Sequence, residues 1–282
     1  ELDEVGRDTP VLANIRPIGK QYLMQDFYYA GGLLGLMSVL KDKLDLTALN
    51  VTGQSLGDTL KGAKVFNEDI IRPLDNPVYH QGSLAVLKGN LAPNGAVIKP
   101  AACDSKFYEH VGPALVADSY EALLEIIDDE DLDLDPNTVL VLRNVGPQGG
   151  PGMPEWGMIP MPNSLLKRGI FDMVRLSDAR MSGTSFGACI LHVSPESYIG
   201  GPLALLKTGD LVELNVPNRS LNMRVSEEEL ERRRSEWVKP EPRYRRGYGW
   251  MFSQHIQQAD EGCDFDFLTT EFGPSHDEPA IH

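Results

Sequence analysis

Cysteine is scarce in this 282-residue chain. Cys103, Cys189 and Cys263 stand far apart, form no C-x-x-C pair and are odd in number, which excludes a disulfide framework and fits a reducing, cytoplasmic compartment. Positive charge is also short: 26 Lys and Arg face 41 Asp and Glu, a formal net charge of -15. A field of that sign repels phosphate backbones and anionic lipid, so neither nucleic acid nor a membrane surface is an expected partner. Apolar runs never reach the roughly 18 residues of a membrane span, and the polar, acidic start from Glu1 to Pro10 is unlike a signal peptide. Histidine is sparse as well, and His80, His110, His192, His255 and His276 show no H-x-x-x-H ligand spacing.

What remains is an ordinary globular composition, 41% hydrophobic and 24% charged, long enough for one large or two smaller domains at about 150 residues each. The first residue is Glu1 rather than Met, in what reads as mid-domain sequence, so a piece of a longer protein is expected. Gln25 to Lys43 is an apolar stretch predicting a helix from about Gly32. Asp69 to Pro113 is punctuated every few residues by Pro, Gly and Asn, with short apolar runs at Leu84–Leu87 and Ala96–Ile98, the rhythm of short strands joined by turns. Helical spacing behind a Ser cap runs from Ser119 to Ile127, and TVLVL at Thr138–Leu142 reads as a buried strand. Further on, a short helix is expected at Ser164–Arg168, strands at Phe171–Leu176 and Ala188–Val193, and a hairpin from Leu211–Val216 and Leu221–Val225. Ser226 and Glu229 predict a capping box opening a helix to Trp237, and the tail beyond Pro242 reads as an arm lying on its own domain or a neighbour.

Two loops concentrate residues that can do chemistry. Asn144–Met161 is dense in glycine and proline around one carboxylate, Glu155: either a tight multi-turn structure or a loop presenting that carboxylate to a cation or substrate. It carries neither Walker A nor G-x-G-x-x-G spacing. Leu176–Gly187 (LSDARMSGTSFG) places Ser177, Ser182, Thr184 and Ser185 after a strand. Such hydroxyls serve as caps and turns, or as nucleophile or base if a cation or donor set activates them, since no histidine lies in the loop. Asp131, Asp133 and Asp135 alternate like a calcium loop, but Pro136 and Leu142 occupy positions where that loop needs Gly and Glu.

GGPGMPE at Gly149–Glu155, SDARMSGTSFG at Ser177–Gly187 and HVSPESYIGGPLALLKTGD at His192–Asp210 together resemble the dihydroxy-acid and sugar-acid dehydratase family, which includes phosphogluconate dehydratase. TPVLANIRP at Thr9–Pro17, DFYYAGG at Asp26–Gly32, VTGQSLGD at Val51–Asp58 and GNLAPNGAVIK at Gly89–Lys99 follow in the family's order, so the resemblance covers nearly the whole chain. NIRP, DFYYAGG and the tail segment Gln258–Leu268 are most similar to the pentonate branch, the arabinonate and xylonate dehydratases. PIGKQYLM at Pro17–Met24 departs from the family's run, with Ile18 in place of a hydroxyl and Gln21 inserted.

The resemblance implies that this is the C-terminal part of a protein roughly twice as long. It implies an α/β fold: a β-barrel-like C-terminal swivelling domain flanked by helices, similar to that of aconitase, with a helical N-terminal lead-in. On that reading residues 1–65 lead in from an N-terminal domain, 66–240 form the barrel-like domain and 241–282 an arm. The implied activity is a hydro-lyase that dehydrates a sugar acid to its 2-keto-3-deoxy acid. Its implied cofactors are an iron-sulfur cluster, [2Fe-2S] in preference to [4Fe-4S], and Mg2+, both held mainly by the N-terminal domain. Carried over by position, Glu155 corresponds to a magnesium ligand, Ser182 to the catalytic base, Thr184 to a hydroxyl that places substrate or leaving group, and the terminal His282 to a residue that turns toward the active site. Partners so implied are a small sugar acid, the chain's own N-terminal domain and a second copy in a homodimer or homotetramer. The isolated chain is then expected to be inactive. Two alternatives stay open: a dihydroxy-acid dehydratase of branched-chain amino-acid synthesis, and a non-catalytic stand-alone swivelling module.

Overall fold

A computed structural model describes residues 2–268. Eight strands close into one barrel in the spatial order β1-β2-β6-β5-β4-β3-β7-β8. In chain order they are β1 (Ala85–Gly89), β2 (Ala92–Ile98), β3 (Glu109–Ala117), β4 (Val139–Leu142), β5 (Arg175–Ser177), β6 (Cys189–Ser194), β7 (Leu211–Asn215) and β8 (Ser220–Met223). β3, β4, β5 and β6 run parallel to one another, and the hairpins β1/β2 and β7/β8 complete the wall, β2 antiparallel to β6 and β7 antiparallel to β3. The helices are α1 (Leu2–Arg7), α2 (Met24–Tyr29), α3 (Gly32–Val39), α4 (Leu56–Thr59), α5 (Tyr120–Asp128), α6 (Asn163–Lys167), α7 (Glu227–Glu236) and α8 (Gly247–His255). None is long and apolar enough to cross a membrane.

The apolar run at β4 shows how sequence sets the layers. Successive strand residues point to opposite faces. Val139 and Val141 join the cluster with Leu87, Ile98, Leu176 and Ile190 that fills the barrel, while Leu140 and Leu142 join Leu123 and Ile127 of α5 and Leu165 of α6 on its outer side. All four β4 residues are buried, as expected of a parallel strand covered on both faces. Ser119 caps α5 by accepting from the Ala122 N–H at 3.2 Å.

The seam between β1 and β8 is the slightest. It rests on one parallel register pair, Lys88 with Ser220, with the Lys88 N–H donating to the Arg219 carbonyl at 2.9 Å. α1 lies across it: the Asp3 carboxylate accepts from the Val86 N–H at 3.1 Å and from Arg219 Nε at 2.8 Å. Burial acts to raise the Asp3 pKa, but bonds from Arg7, Arg219 and Val86 outweigh it and hold the carboxyl below its ordinary value.

Three local expectations are corrected. The strand expected at Phe171–Leu176 is only Arg175–Ser177, because the Asp172 carboxylate ties the preceding residues to the Met173 and Ala188 N–H groups and to Arg175. At α7 the Ser226 hydroxyl accepts from the Glu229 N–H at 3.3 Å, but the Glu229 carboxylate turns to Arg232 and Arg233 instead of closing a capping box. The tail contains a helix, α8, where only an arm was read. The arm lies on its own domain, with Gln258 on Glu196 and Asp260 on Ser194.

Candidate active site

Both chemistry-bearing loops start from the parallel part of the wall. The glycine-rich loop follows β4. The serine loop joins β5 to its parallel neighbour β6 and therefore has to travel back along the barrel. A third connection, after β6, carries Glu196 and Ser197.

Asp178, fully buried one residue beyond β5, fastens the three together. It accepts from the Val145 N–H at 3.2 Å, the Ser197 N–H at 2.9 Å and the Ser197 hydroxyl at 2.6 Å. Burial pushes its pKa up, against the pull of those donors. Glu196, also buried, accepts from the Gln148 N–H at 2.8 Å and the Gly149 N–H at 3.0 Å, bracing the glycine-rich loop from beneath. Burial, aided by the negative charge of Asp178, raises the Glu196 carboxyl to about 7.

Arg180 couples the serine loop to Glu155. Its guanidinium reaches the Glu155 carboxylate at 2.9 Å and the Met153 carbonyl, and its own carbonyl accepts from the Gly157 N–H at 2.8 Å. Gly157 is required there, since a Cβ would stand 2.7 Å from that same carbonyl. Met153 holds a positive φ of 49°, a left-handed conformation costly for a side-chain-bearing residue and sustained here by the Arg180 bond. Trp156 stacks on Tyr120 at 5.0 Å between centroids and lies under Arg243, which fixes the turn that presents the exposed Glu155.

On the serine loop the structure brings two expected residues together. Ser182 Oγ and Thr184 Oγ1 are 3.0 Å apart, and the Thr184 N–H points to Ser182 Oγ at 3.4 Å. Ser182 is half-buried and Thr184 exposed. From the end of β2, Lys99 Nζ donates to the carbonyls of Gly183 at 2.8 Å, Ser182 at 3.4 Å and Ser185 at 3.5 Å, and burial lowers its pKa. His282 lies outside the described residues.

Sequence reading passed over Lys99, Asp178, Glu196 and Arg180. GNLAPNGAVIK, SDAR and SPES contained three of them in plain view and the fourth at the end of a strand-like run, but nothing in local spacing marks a lysine or a carboxylate that will be buried against a loop.

Among the described residues no three His, Cys, Asp or Glu gather as a metal-binding set. Burial raises all three thiols, Cys103 to about 12 and Cys189 to about 11, and among the described residues none of them stands in a group of three ligand side chains. These residues alone do not fit a cluster or a complete magnesium site. Glu155 presents one exposed carboxylate, paired with Arg180.

Residues 69–263 match the family model described as dihydroxy-acid/6-phosphogluconate dehydratase C-terminal, and residues 1–59 match its N-terminal counterpart. The chain belongs to this family. Within it, the chain is 50% identical to a 6-deoxy-6-sulfo-D-gluconate dehydratase of Pseudomonas putida, covering 100% of this chain and 49% of that protein. It is 46% identical to an L-arabinonate dehydratase of Rhizobium leguminosarum, over 95% of this chain and 46% of the relative. A dihydroxy-acid dehydratase of Methanosarcina barkeri is 41% identical over 93% of this chain and 47% of its own length. The chain thus spans about half the length of the curated relatives it matches.

Proposed function

We propose that this chain is the C-terminal part of a sugar-acid dehydratase, a cytoplasmic hydro-lyase that converts an aldonate to its 2-keto-3-deoxy acid. The observation that carries the reading is the hydroxyl pair Ser182–Thr184, on a loop that Arg180 couples to the loop of Glu155. The names of the relatives at 50% and 46% identity support a sugar acid over a branched-chain dihydroxy acid as substrate.

In the proposed reaction Ser182, as its alkoxide, takes the proton from C2 of a 2,3-dihydroxy acid. The electron pair forms the C2–C3 double bond, the C3 hydroxyl takes a proton from solvent and leaves as water, and the enol tautomerises to the keto acid. Thr184, 3.0 Å from Ser182, steadies the base through its hydroxyl and backbone N–H and places the departing group. A bound iron-sulfur cluster and Mg2+ would supply Lewis acidity toward the departing hydroxyl and the substrate carboxylate. Glu155 would lend one carboxylate oxygen to the magnesium, the remaining ligands coming from the rest of the N-terminal domain, of which residues 1–59 are a part. The same reading assigns His282 to the substrate side of the site and expects a homodimer or homotetramer.

The test is turnover of the full-length protein on arabinonate, xylonate, gluconate, 6-deoxy-6-sulfogluconate and dihydroxyisovalerate, following 2-keto acid in wild type, Ser182→Ala and Glu155→Gln. Loss of turnover in Ser182→Ala with metal content intact and a sugar acid preferred is the expected result. Retained turnover in Ser182→Ala removes the base assignment, and preference for dihydroxyisovalerate moves the protein to the branched-chain reading.

A further inference from the structure

We propose that Lys99 is a positioning residue for the Ser182 base: its ammonium holds the serine loop in the orientation that turns the Thr184 N–H onto the Ser182 oxygen. The inference rests on the reading of Ser182 as the base and adds a residue 83 positions away in the chain.

Lys99 Nζ has three donors and three acceptors, the carbonyls of Ser182, Gly183 and Ser185, and among the described residues no carboxylate partner. The shortest of these bonds, to Gly183 at 2.8 Å, sets the Gly183–Thr184 peptide plane. In a trans peptide the N–H points opposite the C=O. With the Gly183 carbonyl on Lys99, the Thr184 N–H must face the other way, and there it meets Ser182 Oγ at 3.4 Å. A donor aimed at that oxygen stabilises negative charge on it. The same segment anchors the far end of the loop, since the Gly187 N–H donates to the Ala102 carbonyl at 2.8 Å. Gly187 has φ 92°, and a Cβ there would stand 2.1 Å from the Arg175 guanidinium, so glycine is required at the far end of the loop. Loop position is therefore set from the end of β2, and the ammonium acts on the chemistry only through the peptide it turns.

The experiment compares Lys99→Met, Lys99→Gln and Lys99→Arg with wild type and Ser182→Ala in the full-length, metal-loaded protein, reading kcat and KM separately together with the cluster absorption spectrum and melting temperature. Lys99→Met, which keeps the length but no donor, is expected to lower kcat by about 10- to 100-fold with KM within about threefold, as a misplaced catalytic group does. Lys99→Gln and Lys99→Arg, which retain N–H donors, are expected to recover part of the loss. If Lys99→Met does not fold, Lys99→Gln takes its place with an expected loss of about 5- to 20-fold. The proposal is overturned by a kcat within twofold of wild type in the folded variant with fewest donors, by a loss that neither donor-bearing variant relieves, or by a loss that tracks disappearance of the cluster spectrum. Should Ser182→Ala itself turn over normally, the base reading fails first; an inactive Ser182→Ala beside a Lys99→Met within twofold of wild type defeats the Lys99 proposal alone.

Discussion

The barrel and the lead-in before it are built to different standards. Between Ala85 and Met223 the strands enclose a continuous apolar interior, and a second cluster seals the outer side against α5 and α6. Before the barrel Ala30, Ile70 and Ile71 form a small buried nucleus and Leu12 is also buried, while Met24, Tyr28, Tyr29, Leu33, Val51 and Phe66 each expose well over half of their surface. Apolar side chains exposed at this density form a candidate contact surface. The barrel region holds two large apolar clusters; the segment before it holds one small one.

The comparison can be broken at several points. The largest effect is expected in the barrel wall: Leu140→Ala, at a side chain with no exposure, should cost about 2–5 kcal/mol in urea unfolding, and a cost below about 1 kcal/mol would mean the wall is not tightly packed. Next comes Asp178→Ala, which strands the Val145 and Ser197 donors; a loss of about 2–4 kcal/mol is expected, together with protease cleavage in the glycine-rich loop that wild type resists. Glu196 gives a pH signature. Its carboxyl sits at 4.5 when unfolded and about 7 when folded, so the folded state binds the proton more tightly. Its contribution is most favourable below 4.5 and is lost as pH rises through 7, and the Glu196→Gln variant should lack that decline when unfolding midpoints at pH 5 and pH 8 are compared. Smallest is Leu33→Ser, expected within about 0.5 kcal/mol in this chain and distinctly larger in the full-length protein; equal values in both would show that nothing covers that face.

What the sequence disclosed follows the range of the interactions. TVLVL, the Ser119 cap and the alternation at Leu211–Leu214 announce β4, α5 and β7 because period and cap are local properties. Helix α8 escaped notice because GYGWMFSQH has two glycines and no apolar stripe, and its turn is fixed by Tyr244 lying against Gly249, where a Cβ would come within 2.6 Å of the ring. The strand β3 carries Pro113 within it and runs on to Ala117, because its neighbours β4 and β7 supply partners on both sides. In the site, Ser182 and Thr184 were legible as a pair two residues apart on one loop. Lys99, Asp178 and Glu196 were not, since each acts on loops distant in sequence and their burial is a product of closure of the barrel.

Closure has a further consequence at its weakest seam. The family match divides the chain between residues 59 and 69, yet Asp3 from before that division bridges Val86 and Arg219 across the junction of β1 and β8. A barrel cut free at Asp69 would keep every strand and lose its clasp. Amide exchange should then be fastest at Lys88 and Ser220, unzipping the cylinder from that line outward, so the covalent boundary and the mechanical one are different places in this protein.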